Sequence, residues 1–76
     1  MPHVIVKLYS GRSEQQKAQL AQKITQAVMD GAQCEESAVS VSIEDIAPAD
    51  WVDKVYKPDI MSKQDGLYKK PGYNPL

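Results

Sequence analysis

The sequence predicts an α/β (α+β) fold: one βαβ unit with two parallel strands and one long helix, then a short C-terminal helix/turn segment, completed by oligomerisation. Three observations predict it. Residues 2–9 (PHVIVKLY) and 38–46 (AVSVSIEDI) have strand composition and alternation. Residues 13–30 between them carry a helix start signal and an apolar stripe at helical spacing. With 76 residues, one cysteine and one histidine, the chain has neither an internal disulfide nor a zinc cluster to support its small core, and partner subunits are the remaining device.

In the first strand, alternation puts Val4, Val6 and Leu8 on one face and His3, Ile5, Lys7 and Tyr9 on the other. Both faces carry apolar residues, as in a sheet covered on both sides. Ser10-Gly11 breaks the strand. Ser13 through Gln16 form a capping-box pattern, so a helix is expected from about Glu14 to Asp30 with Gly31 as its C-terminal cap. Leu20, Ile24 and Val28, with Ala21 and Ala27 beside them, make its apolar stripe, while Glu14, Gln15, Gln19, Lys23 and Gln26 look solvated. In the second strand Val39, Val41 and Ile43 alternate with Ser40, Ser42 and Glu44. Strand, helix, strand implies parallel pairing with a right-handed crossover. One helix covers one sheet face. The other face is expected to have no cover within the chain, a second argument for association.

Pro48 fits the first turn of a short helix running through Trp51, Val52, Val55 and Tyr56, which Lys57-Pro58 is expected to end. Beyond it, Ile60, Met61, Leu67 and Tyr68 are expected to dock as a short helix or strand, and Lys70-Pro71-Gly72-Tyr73 reads as a turn. There is no repeat, so residues 1–76 read as a single domain.

The net charge of -1 supplies no general field for nucleic acid or anionic membrane. No apolar run approaches the roughly 18 residues of a transmembrane helix. No basic segment leads into an apolar stretch as in a secretory signal, so a cytoplasmic setting is expected. No metal site is expected either.

The residue with distinctive chemistry is Pro2. Initiator methionine is generally removed ahead of a small second residue, and removal of Met1 leaves a secondary amine at the tip of a strand. An α-amino group titrates at about 7.7–8.0, and partial burial or a nearby cation lowers that value. Such a base suits proton transfer at carbon beside a carbonyl. Arg12, in the loop after the strand, is of the type that binds a carboxylate bidentately. A base and a carboxylate clamp are what shifting a double bond in a 2-keto or 2-hydroxy-alkenoic acid requires. Because Pro2 and Arg12 lie at opposite ends of one strand, they can meet only across a subunit interface.

Pro2, the strand, Gly11-Arg12-Ser13-Glu14-Gln15-Gln16-Lys17 opening the helix, and Val39 to Ile46 as the second strand together resemble the 4-oxalocrotonate tautomerase family over roughly the first 46 residues. Trp51 and the Lys69-Lys70-Pro71-Gly72-Tyr73 ending look more like its bacterial pptA-type dimeric branch. The resemblance implies a tautomerase-like βαβ subunit and proline-catalysed keto–enol tautomerisation with no cofactor. It implies Pro2 as general base, Arg12 as the carboxylate-binding arginine from a neighbouring subunit, and Trp51 as the aromatic residue that keeps the site apolar. The family's enzymes for dicarboxylates carry a second arginine in the middle of the second strand, where this chain has Ser40. Ser40 can hydrogen-bond the developing oxygen charge but brings no cation, so a monocarboxylate such as phenylenolpyruvate is expected. Lys7, Lys69 and Lys70 are candidates for the missing charge. The long C-terminal segment favours a homodimer, with a hexamer as the alternative.

His3 is expected to be a structural or interface residue, and Cys34, followed by Glu35 and Glu36, to be unreactive. Glu44 and Asp45 are adjacent and point to opposite faces, so they are not a catalytic pair. Two rival readings remain: hydration or dehalogenation of an unsaturated acid on the same scaffold, which needs a carboxylate to activate water, and a non-enzymatic oligomeric binding module.

Overall fold

Strand β1 (His3–Tyr9) is followed by helix α1 (Glu14–Ala32) and strand β2 (Ser40–Ile46) in a computed structural model that describes residues 1–76. The strands pair in parallel and in register from His3 opposite Ser40 to Tyr9 opposite Ile46, giving the expected βαβ unit. The register sorts the side chains. Val4, Val6, Leu8, Val41, Ile43 and Asp45 share the face that meets α1, and Lys17 of α1 reaches Asp45 at 2.9 Å. Glu44 lies on the opposite face from Asp45.

The capping box forms as the sequence indicates: Gln16 N–H donates to the Ser13 hydroxyl, and Ser13 N–H donates to the Gln16 side chain. Lys17, Leu20, Ala21, Ile24, Thr25, Val28 and Met29 form the half-buried stripe, and Ala27 is exposed rather than part of it. The helix also outruns the expected cap. Gly31 lies inside its last turn and Gln33 ends it, in the left-handed conformation (φ 53°). The N–H groups of Gln33 and Cys34 both reach the Met29 carbonyl, which holds a non-glycine residue there.

The C-terminal arm (residues 48–66) departs most from expectation. A 3₁₀ turn (Pro48–Asp50) leads through Trp51 into a π-helical segment (Val52–Ile60), and a second 3₁₀ segment (Met61–Gly66) follows. Pro58 sits inside the π segment and does not end it. The wider winding accommodates the ring that would clash with a carbonyl four residues back in an α-helix. Leu67 and Tyr68 belong to no helix or strand, and Tyr68 is fully exposed.

The arm corrects the expectation of an uncovered outer sheet face. Trp51 meets Tyr9 edge-on with ring centroids 5.2 Å apart, and Asp59 binds Lys7 at 2.6 Å, so the C-terminal half of β1 is covered from within the chain. The N-terminal half stays open, with Ile5 56% exposed. The fully buried residues are Val55 and Tyr56, both in the arm. The accessible surface is 5756 Å², against about 4600 Å² for a folded monomer of this mass. The radius of gyration is 13.9 Å, against about 11.4 Å for a compact domain of this length. No helix is long and apolar enough to cross a membrane.

Candidate functional site

The turn between β1 and α1 aims Arg12. Gly11 has φ +121°, a conformation that L side chains rarely adopt, and it reverses the chain between the strand end and the helix cap. One Arg12 Nη1 donates to the Tyr9 carbonyl at 3.2 Å. No carboxylate in the chain pairs with Arg12, so most of its five donors are free. A cleft of about 360 Å³ opens beside it, lined by Lys7, Leu8, Tyr9, Arg12, Trp51 and Tyr73. Trp51 Nε1 donates to Tyr73 Oη at 3.0 Å, and the Tyr73 ring packs tilted on Tyr56 with centroids 5.9 Å apart. An unpaired guanidinium in a bowl of three aromatic rings suits an aromatic or alkenyl carboxylate.

Lys7 lines this cleft, but its charge is engaged. The hydrogen bond to Asp59, opposed by partial burial and helped by the charges of Asp59 and Glu44, raises its pKa above the usual 10.5. Lys69 and Lys70 are not among the lining residues, and Lys69 Nζ donates to the Lys70 carbonyl. The free cation of the cleft is therefore Arg12.

Pro2 and Ser40 meet at the other end of the sheet. Ser40 N–H donates to the Pro2 carbonyl at 3.2 Å, and Ser40 Oγ lies 2.6 Å from His3 Nδ1. Ser40 opens β2 and does not sit in its middle. Pro2 is half-buried and Met1 is fully exposed, so loss of Met1 removes no packing. The seven residue steps from Pro2 to Tyr9 span about 23 Å of extended strand. Pro2 with Ser40 therefore lies at one end of the sheet, and Arg12 with Trp51 at the other.

Sequence reasoning missed Tyr9 and Tyr73. Tyr9 was legible as a strand-end aromatic three residues from Arg12. Tyr73 was not, because its contact with Trp51 spans 22 residues and follows no periodicity. Cys34 is free and half-buried, with its thiol near the Val28 carbonyl. No three His, Cys, Asp or Glu side chains gather as a metal site.

Comparison with known proteins bears on this arrangement. The family model described as "Tautomerase enzyme" matches residues 2–55. A "Probable tautomerase" of Xylella fastidiosa (strain 9a5c) is 45% identical over 76 residues, covering 100% of this chain and 93% of that protein. The "Tautomerase PptA" of Cronobacter sakazakii is 36% identical over 96% of this chain and 97% of its own. Among solved structures, TomN, a 4-oxalocrotonate tautomerase homologue in the tomaymycin biosynthetic pathway, superposes with a TM-score of 0.64 at 34% identity, over 66% of this chain and 77% of that one. YwhB, another such homologue, gives a TM-score of 0.59 at 37% identity, over 60% and 75% of the two chains. The family match runs from the proline at one end of the sheet, through the arginine turn, to the arm that carries Trp51, and the chain accordingly belongs to the tautomerase enzyme family.

Proposed function

We propose that this enzyme is a cofactor-independent tautomerase interconverting the enol and keto forms of a 2-keto/2-hydroxy-alkenoic monocarboxylate, with an aromatic one such as phenylenolpyruvate as the fitting class. The observation that carries this reading is the unpaired Arg12 inside the aromatic cleft. After Met1 is removed, the Pro2 nitrogen takes the proton of the enol hydroxyl, the electrons close the carbonyl, and the same nitrogen returns a proton to C3. Arg12 of a neighbouring subunit holds the carboxylate. Trp51, with Tyr9, keeps that wall apolar. Ser40, beside Pro2, donates to the developing oxygen charge when His3 carries its proton on Nδ1 and supplies the hydrogen in their shared bond.

Association supplies what one chain lacks. The accessible surface exceeds the monomer expectation by more than about 1000 Å², comparable with the roughly 800 Å² that each partner buries in a standard interface. A groove of about 400 Å³ beside Trp51, floored by Ile5, Val55 and Ile60, adds apolar surface to bury. A two-fold homodimer that sets β1 antiparallel to its mate brings Pro2 of each chain towards Arg12 of the other. A hexamer of such pairs is the alternative. The reading places the enzyme in the cytoplasm. Hydration or dehalogenation is not favoured, because no carboxylate lines the Arg12 cleft and Asp59 is held by Lys7.

A UV assay of ketonisation tests the proposal, with phenylenolpyruvate expected to be turned over much faster than 2-hydroxymuconate. Intact mass should show loss of Met1, and an electrophilic haloacid analogue should label Pro2. Retention of full activity by Pro2→Ala would remove the base assignment.

A further inference from the structure

We infer that Tyr73 is a substrate-binding residue: its phenolic O–H donates a hydrogen bond to the 2-oxygen of the carboxylate bound at Arg12. The inference rests on the proposed tautomerase reading and adds a group to its site. Three observations carry it. Tyr73 lines the same cleft as Arg12, although it comes from the C-terminal tail, more than 60 residues along the chain. Its ring is fixed from two sides, by the Trp51 Nε1 hydrogen bond at 3.0 Å and by the tilted packing on Tyr56. In that bond Tyr73 Oη is the acceptor, because an indole N–H only donates, so the phenolic proton is left with no acceptor in the chain.

The chemistry needs such a group. As Pro2 removes the enol proton, negative charge grows on the 2-oxygen, one carbon from the carboxylate. A donor for it belongs on or near the wall that holds the carboxylate, and Tyr73 shares that wall with Arg12. Donation from Trp51 into Oη polarises the phenol and strengthens its own O–H as a donor. With Lys7 committed to Asp59, the neutral hydroxyls of this cleft are those of Tyr73 and Tyr9, and only the Tyr73 oxygen is held in place by a hydrogen bond, the one from Trp51. It works alongside Ser40, which approaches from the Pro2 side. It also gives Trp51 a second task, as the group that orients Tyr73.

The test is Tyr73→Phe, which keeps the ring on Tyr56 and removes only the oxygen. The inference expects kcat for phenylenolpyruvate to fall at least about fivefold, towards the roughly hundredfold cost of a lost oxyanion donor, with KM changing less than about threefold. A second readout separates hydrogen bonding from packing. Competitive inhibition by phenylpyruvate, which has the 2-oxygen, should weaken at least about fivefold, while inhibition by 3-phenylpropionate, which lacks it, should not change. Equal weakening of both ligands, or a smaller loss in kcat and in phenylpyruvate binding, overturns the inference. If the variant does not fold, the unmodified protein with 13Cζ-labelled tyrosine decides. The Tyr73 resonance should move with phenylpyruvate and stay with 3-phenylpropionate, and a resonance that answers both ligands alike or neither overturns it. The inhibitor comparison does not depend on Pro2, so an active Pro2→Ala enzyme would overturn the base assignment while leaving Tyr73 to be judged separately.

Discussion

Gly11 adopts φ +121° with nothing within 4 Å of where a Cβ would sit. Space is therefore not the obstacle to a side chain there, and backbone strain is. Gly11→Ala is expected to cost about 1–2 kcal/mol of stability and, by reorienting the turn, to raise KM more than it lowers kcat. Steady-state kinetics beside a denaturation curve check both halves. Lys7 makes a pH-dependent contribution of defined sign. Its folded pKa lies above 10.5, chiefly through the Asp59 hydrogen bond, so the stabilisation is present below 10.5 and is lost as pH rises through the higher folded value. The stability gap between the unmodified protein and Lys7→Met should therefore shrink on titration above pH 10.5 and stay constant through neutrality. At this scale the sequence was informative where chemistry is local. Pro2 and Arg12 stand out as candidates by residue type and by their places around one strand. Lys7 does not, because its partner Asp59 lies 52 residues away, on a segment whose path no local pattern fixes.

Among the elements, β1, α1 and β2 were legible because each carries its own periodicity, and the N-terminus of α1 because Ser13 and Gln16 make a reciprocal cap. The other end of α1 misled. Gly31 is the residue type expected at a left-handed cap, yet the helix spends it in the last turn and places Gln33 in that conformation. The Met29 carbonyl, taken by two successive N–H groups, compensates for the unfavourable angle. Gln33→Gly is accordingly expected to stabilise the protein by about 0.5–1 kcal/mol, read as a shifted denaturation midpoint at fixed protein concentration with an unchanged slope. Pro58 misled for a related reason. Proline forbids an α-helical interior, but the arm winds as a π-helix, with Val55 and Tyr56 buried, and so continues past it. Local preference was read correctly at both positions, and packing chose a backbone that the preference does not address.

In the whole molecule, Pro2 with Ser40 and Arg12 with Trp51 lie at opposite ends of β1, about 23 Å apart by strand length, and the proposed function makes each pair half of a site. On that reading neither half is a catalyst alone: Pro2 and Ser40 have no carboxylate clamp within reach, and Arg12, Trp51 and Tyr73 have no base. The expectation of a shared site comes from strand length alone, and the surface excess bears on association and not on which residues meet. The docking pose of the proposed partner was not legible, because the arm that covers Lys7 and Tyr9 also decides which part of the outer face is left open. The proposed composite site has a quantitative consequence. Pro2→Ala removes the base from one site and leaves that chain's Arg12 serving its neighbour, while Arg12→Ala does the reverse. Each variant assembled alone should be nearly inactive. When the two are unfolded, mixed in equal amounts and refolded together, a site is intact only if its proline comes from one variant and its arginine from the other, so activity should return to about one quarter of the unmodified level. That fraction is the same for a dimer and for a hexamer of such dimers, because it depends only on two chains sharing each site. Light scattering then separates the two assemblies by mass. A site contained within one chain gives no recovery at any mixing ratio, and that outcome would dismantle the shared-site reading whatever the oligomer's size.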